Sequence, residues 1–393
     1  MRKKIADDIY YVGVNDRQKG LFENLWPLPQ GVSYNSFLIN DDRTVLIDTV
    51  DVCYSDLFFK KIEAVLNGRP LDYLIVNHME PDHAGSIRLL RHFYPGVQII
   101  GNKQTFTMLA GYHNITEGLR EVKEGDTLES GKHRLTFHTA PMVHWPEVMM
   151  AYDETGKVLF SADAFGTYGT VNGAVLDTEM NVAHYWDEMI RYYANIVGKY
   201  GNPVQRILKK LSALDIQTIC STHGPVWREN KDKAIALYDQ LSRYESGNGV
   251  VIIYGSMYGN TEQMAETIAC SLAANGIKEI AMHHASKSHS SYILRDVFKY
   301  KGIMIGSPTY NGQLFPEIDA ILKKIAACEV KNRLFGYFGS FTWAGAAVKR
   351  LAAFAEEVQW KVTGDPVEQK QSMNNETEAQ CLALGKAMAQ ALQ

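Results

Sequence analysis

The stretch His78-Met79-Glu80-Pro81-Asp82-His83-Ala84-Gly85 decides how this chain is read. It sets four potential metal ligands within six residues, directly after an apolar strand expected over Leu71–Val76. In an extended loop alternate residues face one way, so His78, Glu80 and Asp82 are expected on one side, with His83 following at a turn. Imidazole and carboxylate together suit iron, zinc or manganese. Three more positions share this character. His144 lies in Pro141-Met142-Val143-His144-Trp145-Pro146, Asp163 ends Val158-Leu159-Phe160-Ser161-Ala162-Asp163, and His223 sits in Ile219-Cys220-Ser221-Thr222-His223-Gly224-Pro225. Each is a ligand type at the carboxyl end of an expected strand. One such residue alone would be an ordinary cap or core polar group; the set points to a metal site.

Working outward, the first half reads as mixed strands with few helices. Strands are expected at Tyr34–Ile39, Val45–Ile47, Arg134–His138, Val148–Tyr152 and Val158–Phe160, and helices at Tyr54–Leu66, Gly85–Phe93 and Asp187–Val197. That pattern suggests two sheets flanked by helices. The small, turn-prone Ser246-Gly247-Asn248-Gly249 marks a seam. This divides the chain into residues 1–247 and 248–393, and a chain of 393 residues is too long for one ordinary core.

Past the seam, strands at Val250–Tyr254, Lys278–His284, Gly302–Gly306 and Leu334–Phe338 alternate with helices at Thr261–Ala274, Ala344–Val358 and Glu376–Leu392. Alternation of this kind predicts a doubly wound parallel sheet, which binds ligands beyond the carboxyl ends of its strands. Three polar loops are expected there: Ser256-Met257-Tyr258-Gly259-Asn260-Thr261, Ser307-Pro308-Thr309-Tyr310-Asn311-Gly312 and Ser340-Phe341-Thr342-Trp343-Ala344-Gly345. The first opens a helix, with Thr261 read as its N-cap, and can cradle an anion. It has neither dinucleotide glycines nor a Walker lysine, so it suits a monophosphate ester. The other two each carry an aromatic that could grip a planar ring.

Composition narrows the class. The balance of 40 basic against 44 acidic residues argues for neither nucleic acid nor an anionic membrane as partner. Met1–Asp8 lacks the apolar core of a signal peptide, and no apolar run approaches the roughly 20 residues that span a bilayer. The five cysteines, Cys53, Cys220, Cys270, Cys328 and Cys381, form no C-x-x-C pair. They read as reduced cytoplasmic thiols and exclude a thiolate iron or zinc site.

Two resemblances follow from these residues. The H-x-E-x-D-H loop, the later His144, the strand-end Asp163 and His223-Gly224 resemble the metallo-β-lactamase superfamily over residues 1 to about 245, which implies an αββα sandwich. Asp48, in Leu46-Ile47-Asp48-Thr49, matches that superfamily's structural Asp. The three polar loops resemble the flavodoxin pattern over residues 250 to 393. Glu80 stands where the superfamily's hydrolases carry His, and with both halves in one chain the whole resembles the flavodiiron proteins. The resemblance implies that His78, Glu80 and His144 bind one iron, that Asp82, His83 and His223 bind the other, and that Asp163 bridges them. His83 is the ligand that turns away in some members. It implies FMN held by the three loops, with Trp343 and Tyr310 against the ring. It implies reduction of O2 to water or NO to N2O, electrons from rubredoxin or a rubredoxin-like reductase, and a head-to-tail homodimer or a dimer of dimers. No rubredoxin or flavin-reductase extension is read in the chain. Trp145, Tyr193 and Phe22 are expected near the substrate pocket. The competing readings are a binuclear zinc hydrolase with an accessory flavin domain and a simple electron carrier.

Overall fold

The computed structural model describes residues 3–393, so the first two residues of the Met1–Asp8 stretch lie outside the described part. The chain forms two compact units, one running to Asp239 and one from Gln240.

The first unit is a sandwich of two sheets. The seven-stranded sheet runs, in spatial order, Lys3–Ala6, Ile9–Tyr11, Phe37–Asn40, Thr44–Ile47, Tyr73–Ile75, Gln98–Gly101, Leu119–Glu121. The five-stranded sheet runs Thr127–Glu129, Arg134–Thr139, Met149–Asp153, Val158–Phe160, Thr218–Cys220. Period-two alternation builds the core between them. Phe37, Ile39, Val45, Ile47, Ile75 and Ile100 of the first sheet belong to one buried cluster with Leu135, Phe137, Met149, Ala151, Val158 and Phe160 of the second. The alternate residues Leu38, Leu46 and Leu74 are buried as well, and the helix Ser55–Leu66 packs on the strand Phe37–Asn40. This is the expected αββα metallo-β-lactamase-like sandwich.

The second unit is a wholly parallel sheet in the order Ile280–His284, Gly247–Tyr254, Tyr300–Pro308, Leu334–Phe341, with Lys361–Val362 and Val367–Lys370 both pairing to the last of these. That is the flavodoxin-like winding order. Its apolar strands Val250–Tyr254 and Ile303–Ile305 are buried, as the near-continuous hydrophobic runs require. The helices Asn260–Ala274 and Asn375–Leu392 lie against each other on one face, where Gly385 leaves room only for a hydrogen: a Cβ there would meet Ser271 at 2.7 Å.

Several expected elements shift for physical reasons. The strand read over Tyr34–Ile39 parts at Asn35-Ser36. Asn35 turns to donate to the carbonyls of Ser221 and Gly224 (2.9 Å each), and Ser36 donates to the Asp48 carbonyl. The segment therefore holds two site loops instead of continuing the ladder. The helix read from Gly85 begins at Ile87 and is preceded by a separate turn, Pro81–Ala84. Asp82 and His83 thus sit on a helical turn, and His78, Glu80 and Asp82 do not share one side. The helix read over Asp187–Val197 spans Ala183–Tyr192 and ends in a wide π turn, Tyr193–Val197. Thr261 is not the N-cap of its helix: Gly259, at φ 92°, holds that position. The first unit is also richer in helix than its sequence suggests, with Lys103–His113 and Gly201–Leu211 unforeseen. No helix of the described residues is long and apolar enough to cross a membrane.

Candidate metal centre and flavin cradle

The loops at the carboxyl ends of the sandwich strands bring all seven predicted ligands together. His78, Glu80, His144 and Asp163 each offer a ligand atom within 4.8 Å of the others; Asp82, His83 and His223 form a second such trio. All seven are buried, and His78, His83, Asp163 and His223 are wholly so. Asp163 joins the two groups. Its Oδ2 lies 3.4 Å from His78 Nε2 and 3.0 Å from His144 Nε2, while its Oδ1 lies 3.1 Å from His83 Nε2 and 3.8 Å from His223 Nε2. Glu80 Oε2 sits 3.0 Å from His144 Nε2 and 3.3 Å from His78 Nε2. Asp82 reaches His83 and His223, each at 3.3 Å.

Ring orientation is set from behind. His78 Nδ1 pairs with Glu147 Oε1 at 2.7 Å, which also accepts the Met79 amide. His223 Nδ1 donates to the Ser33 carbonyl at 2.7 Å, and Thr222 donates its hydroxyl to Asp163 Oδ1. With Nδ1 engaged, Nε2 of each ring is left to face the cavity. Asp48 accepts the Asn77 amide at 2.7 Å and stands behind the loop rather than in it. Burial pushes its carboxyl up to about 6, against the opposing pull of His83 and the Asn77 amide.

The donor set fits a metal pair. Both oxygens of buried Asp82, both ring nitrogens of His83 and Nε2 of His223 have no hydrogen-bond partner. Buried polar groups are rarely left so, and a metal ion would satisfy them. Electrostatics agree. Burial opposes charge on His78, Glu80, His83, His144 and Asp163, yet the mixture of signs wins. Facing carboxylates raise His83 and His144 to about 9 and His78 well above its usual range, while the imidazoles hold Glu80 and Asp163 well below the usual carboxylate range. A cation entering here displaces protons that only the carboxylates hold in place.

Aromatic side chains wall this cavity. Trp145 meets His78 edge-on at 5.3 Å, and Phe22 meets His223 at 5.4 Å. Tyr193 packs instead against Tyr238, at 5.1 Å; its neighbour Tyr192 is the one beside His223, at 5.4 Å, with its hydroxyl buried and unpartnered. Sequence reasoning missed Glu147, Ser33, Thr222 and Tyr192. Glu147 carried a usable signal, a carboxylate three residues after His144; a serine carbonyl carries none.

In the second unit, Ser256, Met257, Tyr258, Asn260 and Thr261 line one concavity of about 60 Å³ with Pro308, Thr309, Ser340, Phe341 and Thr342. The positive φ of Gly259 turns the chain into the N-terminus of the 15-residue helix Asn260–Ala274, and Ser256 Oγ accepts the Gly259 amide. Hydroxyls at a helix N-terminus with free amides fit a phosphate ester. Not every loop residue faces this space. Ser307 is buried behind it and accepts the Phe315 amide, while Thr309, which does line it, also accepts the Ala346 and Ala347 amides at Oγ1. Thr261 pairs its hydroxyl with Ser340. Asn311 and Gly312, at φ 49° and 68°, form the tight turn closed by Tyr310 and Gln313. Ala344 and Gly345 lead into the helix Ala347–Val358, where a Cβ on Gly345 would strike Glu368. Tyr258, Tyr310 and Trp343 stand out into solvent, Trp343 at 86% exposure.

Fold and site together define a class: a binuclear-metal protein on the metallo-β-lactamase sandwich, joined to a flavodoxin unit. The profile described as ODP family beta lactamase matches residues 32–224, and that described as Flavodoxin matches residues 252–385. The nitric oxide reductase of Moorella thermoacetica is 30% identical over 390 residues, covering 98% of this chain and 97% of that protein. The rubredoxin oxygen:oxidoreductase from Desulfovibrio gigas superposes with a TM-score of 0.94 at 28% identity, covering 100% of this chain and 98% of the other. The flavodiiron protein from Giardia intestinalis superposes at 0.95 with 26% identity, covering 100% and 97%. The chain belongs to the flavodiiron protein family. Its cofactors are accordingly FMN and a di-iron centre, and it is an oxidoreductase.

Proposed function

We propose that this chain reduces NO to N2O, O2 to water, or both, at the di-iron centre with electrons relayed through FMN. The observation that carries the reading is Asp163, whose two oxygens face two separate ligand groups at 3.0–3.4 Å and 3.1–3.8 Å, as a bridging carboxylate must. His78, Glu80 and His144 would hold one iron and Asp82, His83 and His223 the other. Glu80 supports iron over a hydrolytic zinc pair, because a further hard anionic oxygen favours a metal that must reach a higher valence. When bound, the iron pair supplies open positions and electrons to the diatomic, and FMN collects those electrons singly.

The chain's own residues do the positioning. Glu147 and Ser33 fix the tautomers of His78 and His223. Trp145, Phe22 and Tyr192 wall the cavity against bulk water. Ser256, Asn260 and Thr261 cradle the FMN phosphate, while Tyr258, Tyr310 and Trp343 are placed to close on its ring. The D. gigas structure is of a rubredoxin oxygen:oxidoreductase and the M. thermoacetica relative is named for nitric oxide, which supports both substrates and a rubredoxin-like donor here. We assign the iron site to residues 1–247 and the flavin site to 248–393. The working unit in this reading is a head-to-tail homodimer in the cytoplasm, a location that suits five free cysteines.

The test is anaerobic reduction of the purified protein, then stopped-flow mixing with NO and, separately, with O2. Rapid flavin reoxidation with two irons per chain is expected. Two zinc ions with esterase or lactamase activity, and no reaction with either gas, would return the chain to the hydrolases.

A further inference from the structure

The reduction proposed above consumes protons. Two NO take up two electrons and two protons to give N2O and water; O2 takes up four of each to give two waters. The cavity offers them little access, since His78, His83, Asp163 and His223 are 0% exposed and Asp82 and Glu80 only 5% and 6%.

On the Asp82–His223 side a hydrogen-bonded chain runs outward. Lys19, partly exposed, donates to the Tyr34 hydroxyl at 3.2 Å and pairs with Asp51 at 3.2 Å. The Tyr34 hydroxyl donates to Asp16 Oδ2 at 3.3 Å. Asp16 Oδ1 takes the Tyr54 hydroxyl at 2.8 Å and the amides of Gln18 and Lys19 at 2.9 Å each. Tyr34 itself is fully buried, and its ring meets His223 edge-on at 6.2 Å. Asp82 is the charge that acts most strongly on the Tyr34 hydroxyl, and its own oxygens lie 3.3 Å from Nε2 of His83 and of His223.

We propose that Lys19 and Tyr34 form a proton entry to the metal cavity, Lys19 as the donor at the surface and the Tyr34 hydroxyl as a neutral relay toward Asp82 and His223. The inference rests on the reductase reading. In each step the Lys19 ammonium gives a proton to the Tyr34 oxygen. The proton already on that oxygen leaves as the hydroxyl turns from Asp16 toward the cavity, where it joins the reduced oxygen. Solvent then reprotonates the Lys19 amine. No electron moves in the relay, and each proton is one of those counted above. Asp51, Asp16 and Tyr54 are positioning residues that hold the ammonium and the hydroxyl in line. If the network were only a lock on the 16–19 loop, proton transfer would be indifferent to it.

The experiment uses iron- and FMN-loaded Lys19→Met and Tyr34→Phe, the second of which removes one oxygen and keeps the packed ring. Reduced protein is mixed with NO or O2 in H2O and in D2O, with and without ethylammonium. Both variants are expected to reoxidise about tenfold more slowly, with a larger solvent isotope effect than the parent and unchanged flavin reduction by dithionite. Ethylammonium is expected to restore Lys19→Met and not Tyr34→Phe. Parental rates and isotope effects at full iron content would overturn the proposal. So would slow variants whose isotope effect is unchanged and which the amine does not rescue. A parent protein that reacts with neither gas overturns the reductase reading and this inference with it.

Discussion

Glu147 is fully buried and sets one oxygen on the His78 ring and on the Met79 amide. Replacing it by Gln keeps the volume but substitutes a neutral partner for the carboxylate that fixes the His78 tautomer. Iron affinity is expected to fall roughly 10–100-fold, read as the chelator concentration that strips half the metal. An unchanged midpoint would mean that His78 is oriented by the loop alone. At this scale the sequence was informative about ligands and silent about their supports. His78, Glu80, Asp82 and His83 announce themselves by density, and His144, Asp163 and His223 by standing at strand ends. Ser33 acts through a backbone carbonyl, which every residue has, and Tyr192 differs from Tyr193 only by the direction a π turn gives it. Spacing alone also misjudged the first loop: the proline-started turn Pro81–Ala84 carries Asp82 and His83 to one group and leaves His78 and Glu80 in the other.

Among elements, those with a strong period were legible. Strand Val158–Phe160 and helix Ser55–Leu66 stand almost where apolar pattern puts them, because burial of one face sets both register and length. The strands Tyr300–Pro308 and Leu334–Phe341 run longer than their apolar centres. They absorb Ser307 and Ser340 into the ladder, since backbone pairing continues where side chains turn polar. The hairpin of Arg134–Thr139 and Met149–Asp153 carries a titration of its own. His133 Nδ1 lies 2.8 Å from buried Asp153, and that hydrogen bond raises the imidazole above its ordinary range despite partial burial. A histidine raised on folding stabilises the fold fully below its unfolded value near 6.5 and loses that contribution as pH climbs through the folded value. Thermal melts of the iron-loaded protein should therefore decline from about pH 6.5 upward, and His133→Asn should flatten that decline. Equal slopes in the two proteins would show that the pair is energetically silent.

For the molecule as a whole, the proposed dimer makes a demand that neither unit makes alone. An obligate monomer, obtained by disrupting the subunit contact, should load iron and FMN normally yet lose turnover with NO and O2. Full activity in a monomer verified by ultracentrifugation would show that each chain passes electrons internally. The chain holds six tryptophans, and only Trp343 is strongly exposed; Trp26, Trp227 and Trp360 are buried and Trp145 and Trp186 intermediate. That single indole, standing beside the flavin cradle at 86% exposure, makes the protein its own optical gauge. Excited at the red edge, the flavin-free protein should glow with the long-wavelength colour of an indole in water. Titration with FMN should dim that component alone, so the occupancy of the second cofactor could be followed by light without attaching any dye.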